Sequence, residues 1–162
     1  MRGTAPVSDF SRVAHDCIDA GAGKTVAWSA EGAIRAGSGE SPQVLLHLQV
    51  DAVLPLTCQR CLEPVEIPAA VDQWFRFVPD EETAESQDDD SPEDLLVESA
   101  QFDLRELVED ELVLAMPLIP SHAVCPIAPR LSARDPGFDD TPQDKPNPFA
   151  ALGKLKSGKG GN

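Results

Sequence analysis

The sequence predicts an α+β fold built on an antiparallel sheet. Three observations carry that expectation. Residues 43–58, QVLLHLQVDAVLPLTC, alternate apolar and polar side chains, the period of a strand with one buried face. Residues 62–79 return with similar alternation after Cys58-Gln-Arg-Cys61, so the two runs form a long antiparallel hairpin. Residues 103–116 switch to helical spacing, with a cap at one end and a proline at the other.

Residues 1–24 are weakly patterned; Ser11 to Ala20 read as a short helix, with Val13, Cys17 and Ala20 near one face. GAGKT at 21–25 fits neither a Walker A motif, since Ile18 stands where a Gly is needed, nor a dinucleotide fingerprint, since Val26 takes the place of the third Gly. It reads as a glycine turn. From Thr25 a half-buried strand runs to about Glu31, turns or bulges at Gly32 and continues over 33–36. GSGESP at 37–42 is a turn. In the first long strand Val44, Leu46, Leu48, Val50, Ala52 and Leu54 share one face, and Pro55 suggests an edge position or a bulge. The returning strand alternates through Val65, Ile67 and Ala69 and ends in Trp74-Phe75-Arg76-Phe77-Val78.

Residues 80–100 are expected as a mobile acidic loop, because ten acids and no base over 80–98 cannot supply a core. The helix that follows is capped by Asp103, with Glu106 three residues on in a capping-box pattern and Phe102 and Leu107 at the staple positions. Leu104, Leu107, Val108, Leu112 and Ala115 form its apolar stripe, and Pro117 stops it near Met116. LIPSHAVCPIAP at 118–129 is non-helical. One domain is expected over 1–133, with a Pro-rich linker and a short basic tail helix, Phe149 to Lys156, in 134–162.

The chain has 162 residues, 41% of them apolar, and a net charge of −15. That length suits one domain. The charge is localised: residues 80–111 hold fifteen acids and one base, and the remainder is nearly neutral. Such a surface repels phosphate backbones and draws in basic partners, although an acidic loop alone reads first as a solubilising device. No apolar run approaches the ~20 residues of a membrane span. The N-terminus shows no apolar stretch of a secretory signal, so the chain is expected in the cytoplasm. Four cysteines, at 17, 58, 61 and 125, are too few for a disulfide framework in a chain of this length.

Cys58 and Cys61 are the first candidates for chemistry. A C-x₂-C turn is half of a zinc site, and His122 and Cys125 offer a second half, together a closed, structural Cys₃His set. The competing reading leaves the cysteines as reduced turn residues and His122 as a surface group. A redox role is disfavoured, because strand and not helix follows the pair. Three histidines, at 15, 47 and 122, and no G-x-S-x-G assemble no hydrolase triad. Glu109-Asp110-Glu111 point about 100° apart on a helix and do not converge on one Mg²⁺. With Glu106 they form a solvated face that suits a basic partner.

Read in order, Cys58-Gln-Arg-Cys61-Leu-Glu-Pro, an acidic stretch, Asp103-Leu-Arg-Glu-Leu-Val-Glu-Asp-Glu, Met116-Pro-Leu-Ile-Pro-Ser-His122, Cys125 and Lys145-Pro-Asn-Pro-Phe resemble the YceD family of large ribosomal RNA subunit accumulation proteins. The resemblance covers about 43–156; the first forty residues match poorly. It implies a part in synthesis, processing or stability of 23S ribosomal RNA and no known catalytic activity. Its signature positions here are Cys58, Arg60, Cys61, Asp103, Glu109, Glu111, Pro117, Pro120, His122, Cys125, Pro146, Asn147, Pro148 and Phe149. The expectation is a non-enzymatic assembly factor that meets the large-subunit precursor through a basic ribosomal protein or another factor. Contact with 23S rRNA itself is the secondary expectation, through Arg60 and the lysine-bearing tail. Partner contacts are placed at Arg60, Glu106, Glu109, Asp110, Pro146, Asn147 and Phe149. The alternatives are a metal-dependent ribonuclease using Glu109 or Glu111, and an acidic chaperone for a basic ribosomal protein.

Overall fold

Five strands form one sheet in the order β1-β2-β3-β4-β5: β1 Arg2–Pro6, β2 Thr25–Arg35, β3 Gln43–Thr57, β4 Pro64–Val78 and β5 Asp94–Val97. Among the described residues three α-helices accompany them: α1 Ser11–Asp16, α2 Glu81–Gln87 and α3 Leu104–Ala115. This is the expected α+β class. The computed structural model describes residues 1–36, 42–128, 137 and 149. Met1–Pro129 form one compact unit. The turn at 37–41, the boundary expected at 133/134, and the linker and tail helix fall outside the described residues, apart from Gly137 and Phe149.

The long hairpin is present, with Val50 opposite Val71 and Ala52 opposite Ala69. Period-two patterning puts Leu46, Leu48, Val50, Ala52 and Leu54 on one buried face, joined by Val26, Ala69 and Phe75 from the neighbouring strands. Pro55 fits its strand because β2 pairs with β3 only as far as Ala52. Beyond that point β3 has one neighbour, and a missing N–H costs nothing on its free side. Gly32 makes no bulge; it pairs in register with Leu46.

Two segments close the buried face. α3 inserts Leu107, Val108 and Leu112. Asp103 caps it, its carboxylate accepting from the amides of Arg105 and Glu106 at 2.8 and 3.4 Å. The N-terminal segment inserts Val7, Phe10, Val13 and Cys17, with Phe10 edge-on to Trp28 at 6.2 Å between centroids. The helix expected over 11–20 ends at Asp16, because Cys17 is extended and Asp19, Ala20 and Gly21 turn left-handed. The glycine turn holds: at Gly21 a side-chain carbon would sit 2.4 Å from Val7, so the close approach requires glycine.

The acidic segment corrects the sequence expectation. Instead of a loop, 80–100 carry a helix and a strand. Asp80 caps α2 by accepting from the Thr83 amide at 2.8 Å. Leu95-Leu96-Val97 gives β5 enough apolar character to pair with β4, parallel, with Arg76 opposite Leu95. The energy comes from tertiary partners that local composition does not reveal. Arg76, on the face opposite Phe75 and Phe77, donates to Gln87 at 2.9 Å and Ser91 at 3.2 Å. Glu93 is buried between Arg35, at 2.6 Å, and Arg76, at 3.9 Å. The Arg35 hydrogen bond outweighs burial and holds the Glu93 carboxyl below the ordinary glutamate value.

Two outcomes follow from this packing. Leu48→Ala, at a fully buried position, is expected to cost about 2–5 kcal/mol in urea unfolding, whereas Ile34→Ala, 76% exposed, changes stability by under about 0.5 kcal/mol; equal costs would contradict the assigned core. Because the folded-state pKa of Glu93 is lowered, its contribution is complete above the ordinary glutamate pKa of about 4.3 and is lost as pH falls through the lower folded value. Between about pH 6 and about pH 3 the wild type should therefore lose more unfolding free energy than Glu93→Gln; parallel curves would exclude the Arg35–Glu93 coupling.

Candidate metal centre

The site begins where β3 ends. After Thr57 the chain makes a tight knuckle, with the Leu62 amide donating to the Cys58 carbonyl and the Cys58 amide to the Glu63 carbonyl, both at 2.9 Å. Leu62 takes a left-handed φ of 63° to close it. Cys58 is fully buried beneath the knuckle and Cys61 is half-buried. The second half arrives from α3. Met116 turns to an extended conformation before Pro117, and residues 117–125, here called the strap, run back to the hairpin end.

Polar contacts fasten strap to knuckle. The Gln59 amide donates to the Pro120 carbonyl at 2.8 Å, and the Arg60 guanidinium donates to the His122 carbonyl. The His122 ring joins both sides. Its Nε2 lies 3.0 Å from the Pro64 carbonyl and its Nδ1 lies 3.4 Å from Cys61 Sγ. A carbonyl only accepts, so Nε2 donates to it, and this turns Nδ1 toward the thiols. Fixing one ring nitrogen on a backbone carbonyl is how proteins orient a metal-binding histidine.

The sulfurs of Cys58, Cys61 and Cys125 and the imidazole of His122 supply four ligand atoms within 4.8 Å of one another. Among the described residues, no other set of His, Cys, Asp or Glu side chains converges in this way. Burial opposes ionisation of Cys58, yet the backbone amides of Cys61, His122 and Arg60, with the His122 ring, outweigh it and bring the thiol down to about 5. Cys125 goes the other way: burial, then hydrogen bonding with Cys61 and Cys58, pushes it up to about 11 against the opposing charge of Arg60. Cys58 drawn toward its thiolate, beside Cys61, Cys125 and the His122 ring, makes a donor set that a soft divalent cation would complete. The geometry thus brings together all four residues expected from the two half-motifs.

The other expected contact residues are dispersed. Arg60 is exposed but tied into the knuckle. Glu109 and Asp110 are engaged within the chain: Glu109 accepts from the Arg12 amide at 2.6 Å, and Asp110 pairs with the Arg12 guanidinium. Glu106 is exposed. In Glu111, burial first and then the charges of Asp94 and Asp110 raise the carboxyl pKa. Phe149 is 69% exposed, and Pro146 and Asn147 lie outside the described residues. Sequence reasoning missed the second sphere, Gln59 and Pro64, because a backbone carbonyl carries no residue signature. It also missed the stack of His47 on Trp74, 4.4 Å apart and parallel, on the sheet face away from the core. There His47 meets Asp72 at 2.6 Å, but the Ser29 hydroxyl bonds Gln49 and not the ring, so no nucleophile–base pair forms.

A family model described as large ribosomal RNA subunit accumulation protein YceD matches residues 46–156. A Haemophilus influenzae protein named large ribosomal RNA subunit accumulation protein YceD is 36% identical over 124 residues, covering 70% of this chain and 66% of that relative. No solved structure matches the chain. No helix among the described residues is long and apolar enough to cross a membrane. The matched span contains all four converging ligands, most of β3 and all of β4, and the chain belongs to the YceD family of large ribosomal RNA subunit accumulation proteins.

Proposed function

We propose that this chain is a non-enzymatic factor on which accumulation of 23S ribosomal RNA depends, acting in the cytoplasm on large-subunit precursors. The observation that carries the reading is the closed Cys58, Cys61, His122 and Cys125 cluster: four protein ligands leave no open position for substrate, the pattern of a structural centre. Zinc is the ion we assign, because three thiols and an imidazole in a compact set match its preferred donors. Family membership supports the ribosomal RNA role. The localised acidity of 80–111 favours contact chiefly through a basic ribosomal protein or another assembly factor, with 23S rRNA the secondary contact. The ribonuclease alternative needs Glu109 or Glu111 on a catalytic ion, yet Glu109 is spent on Arg12.

Protein purified without chelator should carry about one zinc per chain by elemental analysis. Cys61→Ser should lose most of it and lower the melting temperature by roughly 5 °C or more. A metal content near zero, or a Cys61→Ser variant that melts like the wild type, would remove the structural centre. In cells lacking the gene, 23S rRNA should fall relative to 16S. Wild type and Glu109→Gln/Glu111→Gln should restore it, and Cys61→Ser/Cys125→Ser should not. Unchanged 23S levels in the deletion strain overturn the proposed role, and failure of the glutamine variant alone moves the reading toward the nuclease.

A further inference from the structure

The strap buries little of its own apolar surface. Leu118 is 101% exposed, Val124 85% and Ile119 70%, and among the strap residues Cys125 is the one that packs against the buried cluster. The hydrogen bonds that seat it run from the Gln59 amide to the Pro120 carbonyl at 2.8 Å, from Arg60 to the His122 carbonyl, and from the His122 ring to the Pro64 carbonyl at 3.0 Å. A segment without apolar burial opens when its few directional bonds are removed.

The sulfurs that hold the strap are placed to react with one another. The Sγ atoms of Cys58, Cys61 and Cys125 lie within 4.8 Å of one another, a gap that side-chain rotation closes to bonding distance. Cys61 and Cys125 are half-buried, within reach of a small oxidant, whereas Cys58 is fully buried. Cys58 and Cys61 share one turn, closed by the Leu62 amide on the Cys58 carbonyl and the Cys58 amide on the Glu63 carbonyl. Their proximity does not depend on the strap, and that of Cys125 does. Cys58 and Cys61 are therefore the pair that stays together when the strap moves. The strand after this pair argues against a catalytic dithiol; the oxidation of such a pair is stoichiometric.

We infer that the cluster is a peroxide-sensitive latch, in which hydrogen peroxide joins Cys58 to Cys61 in a disulfide and releases the strap. The Cys61 thiolate attacks the peroxide and breaks its O–O bond. The sulfur keeps one oxygen as a sulfenic acid, and the other leaves as hydroxide, which a proton converts to water. The Cys58 thiolate then attacks that sulfur, the S–S bond forms, and the S–O bond breaks to expel a second hydroxide, protonated in turn to water. Two thiolates are oxidised, one peroxide is reduced to two waters, and two protons are taken up. The cluster is left with His122 and Cys125 as ligands, too few to retain its ion, and Cys125 loses its hold on the knuckle. This rests on the proposed zinc reading of the cluster and adds its regulation.

The test treats the zinc-loaded full chain with stoichiometric hydrogen peroxide. About one zinc per chain should appear in solution, read with a chelating dye. Peptide mapping without reductant should find Cys58 joined to Cys61, with Cys125 reduced and Cys17, buried outside the cluster, reduced as well. The Gln59 amide should exchange its hydrogen at least about tenfold faster while the Leu48 amide is unchanged. Dithiothreitol with added zinc should reverse all three. Cys125→Ser keeps the knuckle pair and should form the same disulfide; its failure to do so refutes the pairing. Zinc retained with the thiols still reduced overturns the latch and leaves the zinc centre standing. A disulfide that includes Cys125, which would tether the strap, or a Gln59 amide that stays protected, refutes strap release. A chain that takes up no zinc removes the centre and the latch with it.

Discussion

The imidazole of His122 is the hinge on which this architecture turns. One nitrogen is fixed on the Pro64 carbonyl at the start of β4 and the other faces the Cys61 sulfur. A ring has one plane, so holding Nε2 on a carbonyl determines where Nδ1 points. That contact joins the hairpin to the chain leaving α3 across a separation of 58 residues. Without it the strap would keep two backbone hydrogen-bond contacts to the knuckle, one from the Gln59 amide and one from the Arg60 side chain. Such bonds contribute about 0.5–1.5 kcal/mol each, too little to order a segment whose aliphatic side chains stay in water.

The same economy governs the acid-rich half. Fifteen acids in 80–111 repel one another, and the fold absorbs them with few cations. Arg35 and Arg76 flank the buried Glu93; Arg12 engages Glu109 and Asp110; Arg105 pairs with Asp9 at 2.7 Å and lies over the Phe10 ring. Arg12 and Arg105 both join the N-terminal segment to α3 across the top of the core. Exposed pairs such as these are worth little singly. Their consequence is directional: they fix which acids, Glu93 and Glu109 among them, turn inward.

What the sequence disclosed and what it withheld divide along the range of the interactions involved. The hairpin was legible because period-two alternation over fifteen-residue strands leaves one face to bury. α3 was legible because Asp103, the stripe and Pro117 are local signals. The ligand quartet was legible as two half-motifs, though their convergence was not, since nothing local places His122 beside Cys61. β1 was missed because RGTAP has almost no strand character. Gly3 sits there because a side-chain carbon would lie 2.3 Å from the Trp28 ring, a constraint imposed entirely by the partner strand. β5 was missed for the opposite reason: three apolar residues were outweighed by their acidic neighbours in composition, while Arg35 and Arg76, distant in sequence, neutralise the position that matters most. The N-terminal segment carries Val7, Phe10 and Val13 at three-residue spacing, a buried pattern that its weak overall hydrophobicity concealed.

A segment that buries almost no apolar surface cannot be ordered by the hydrophobic effect, which is the dominant force elsewhere in this chain. It has to be held by directional bonds, and ligand atoms converging on one point are the strongest of these available to a reduced chain. The separation has a physical consequence. In an ordinary domain, mutating a large aliphatic side chain changes both stability and surface, so recognition and folding constrain each other. Here the side chains that face outward contribute nothing to the packing of the sheet, and the cysteines and histidine that hold the backbone present nothing to a partner. Exposed aliphatic surface and the anchoring of the backbone are thereby divided between different side chains of the nine residues 117–125. Four protein ligands closing on one point suit the task of holding a backbone segment in place.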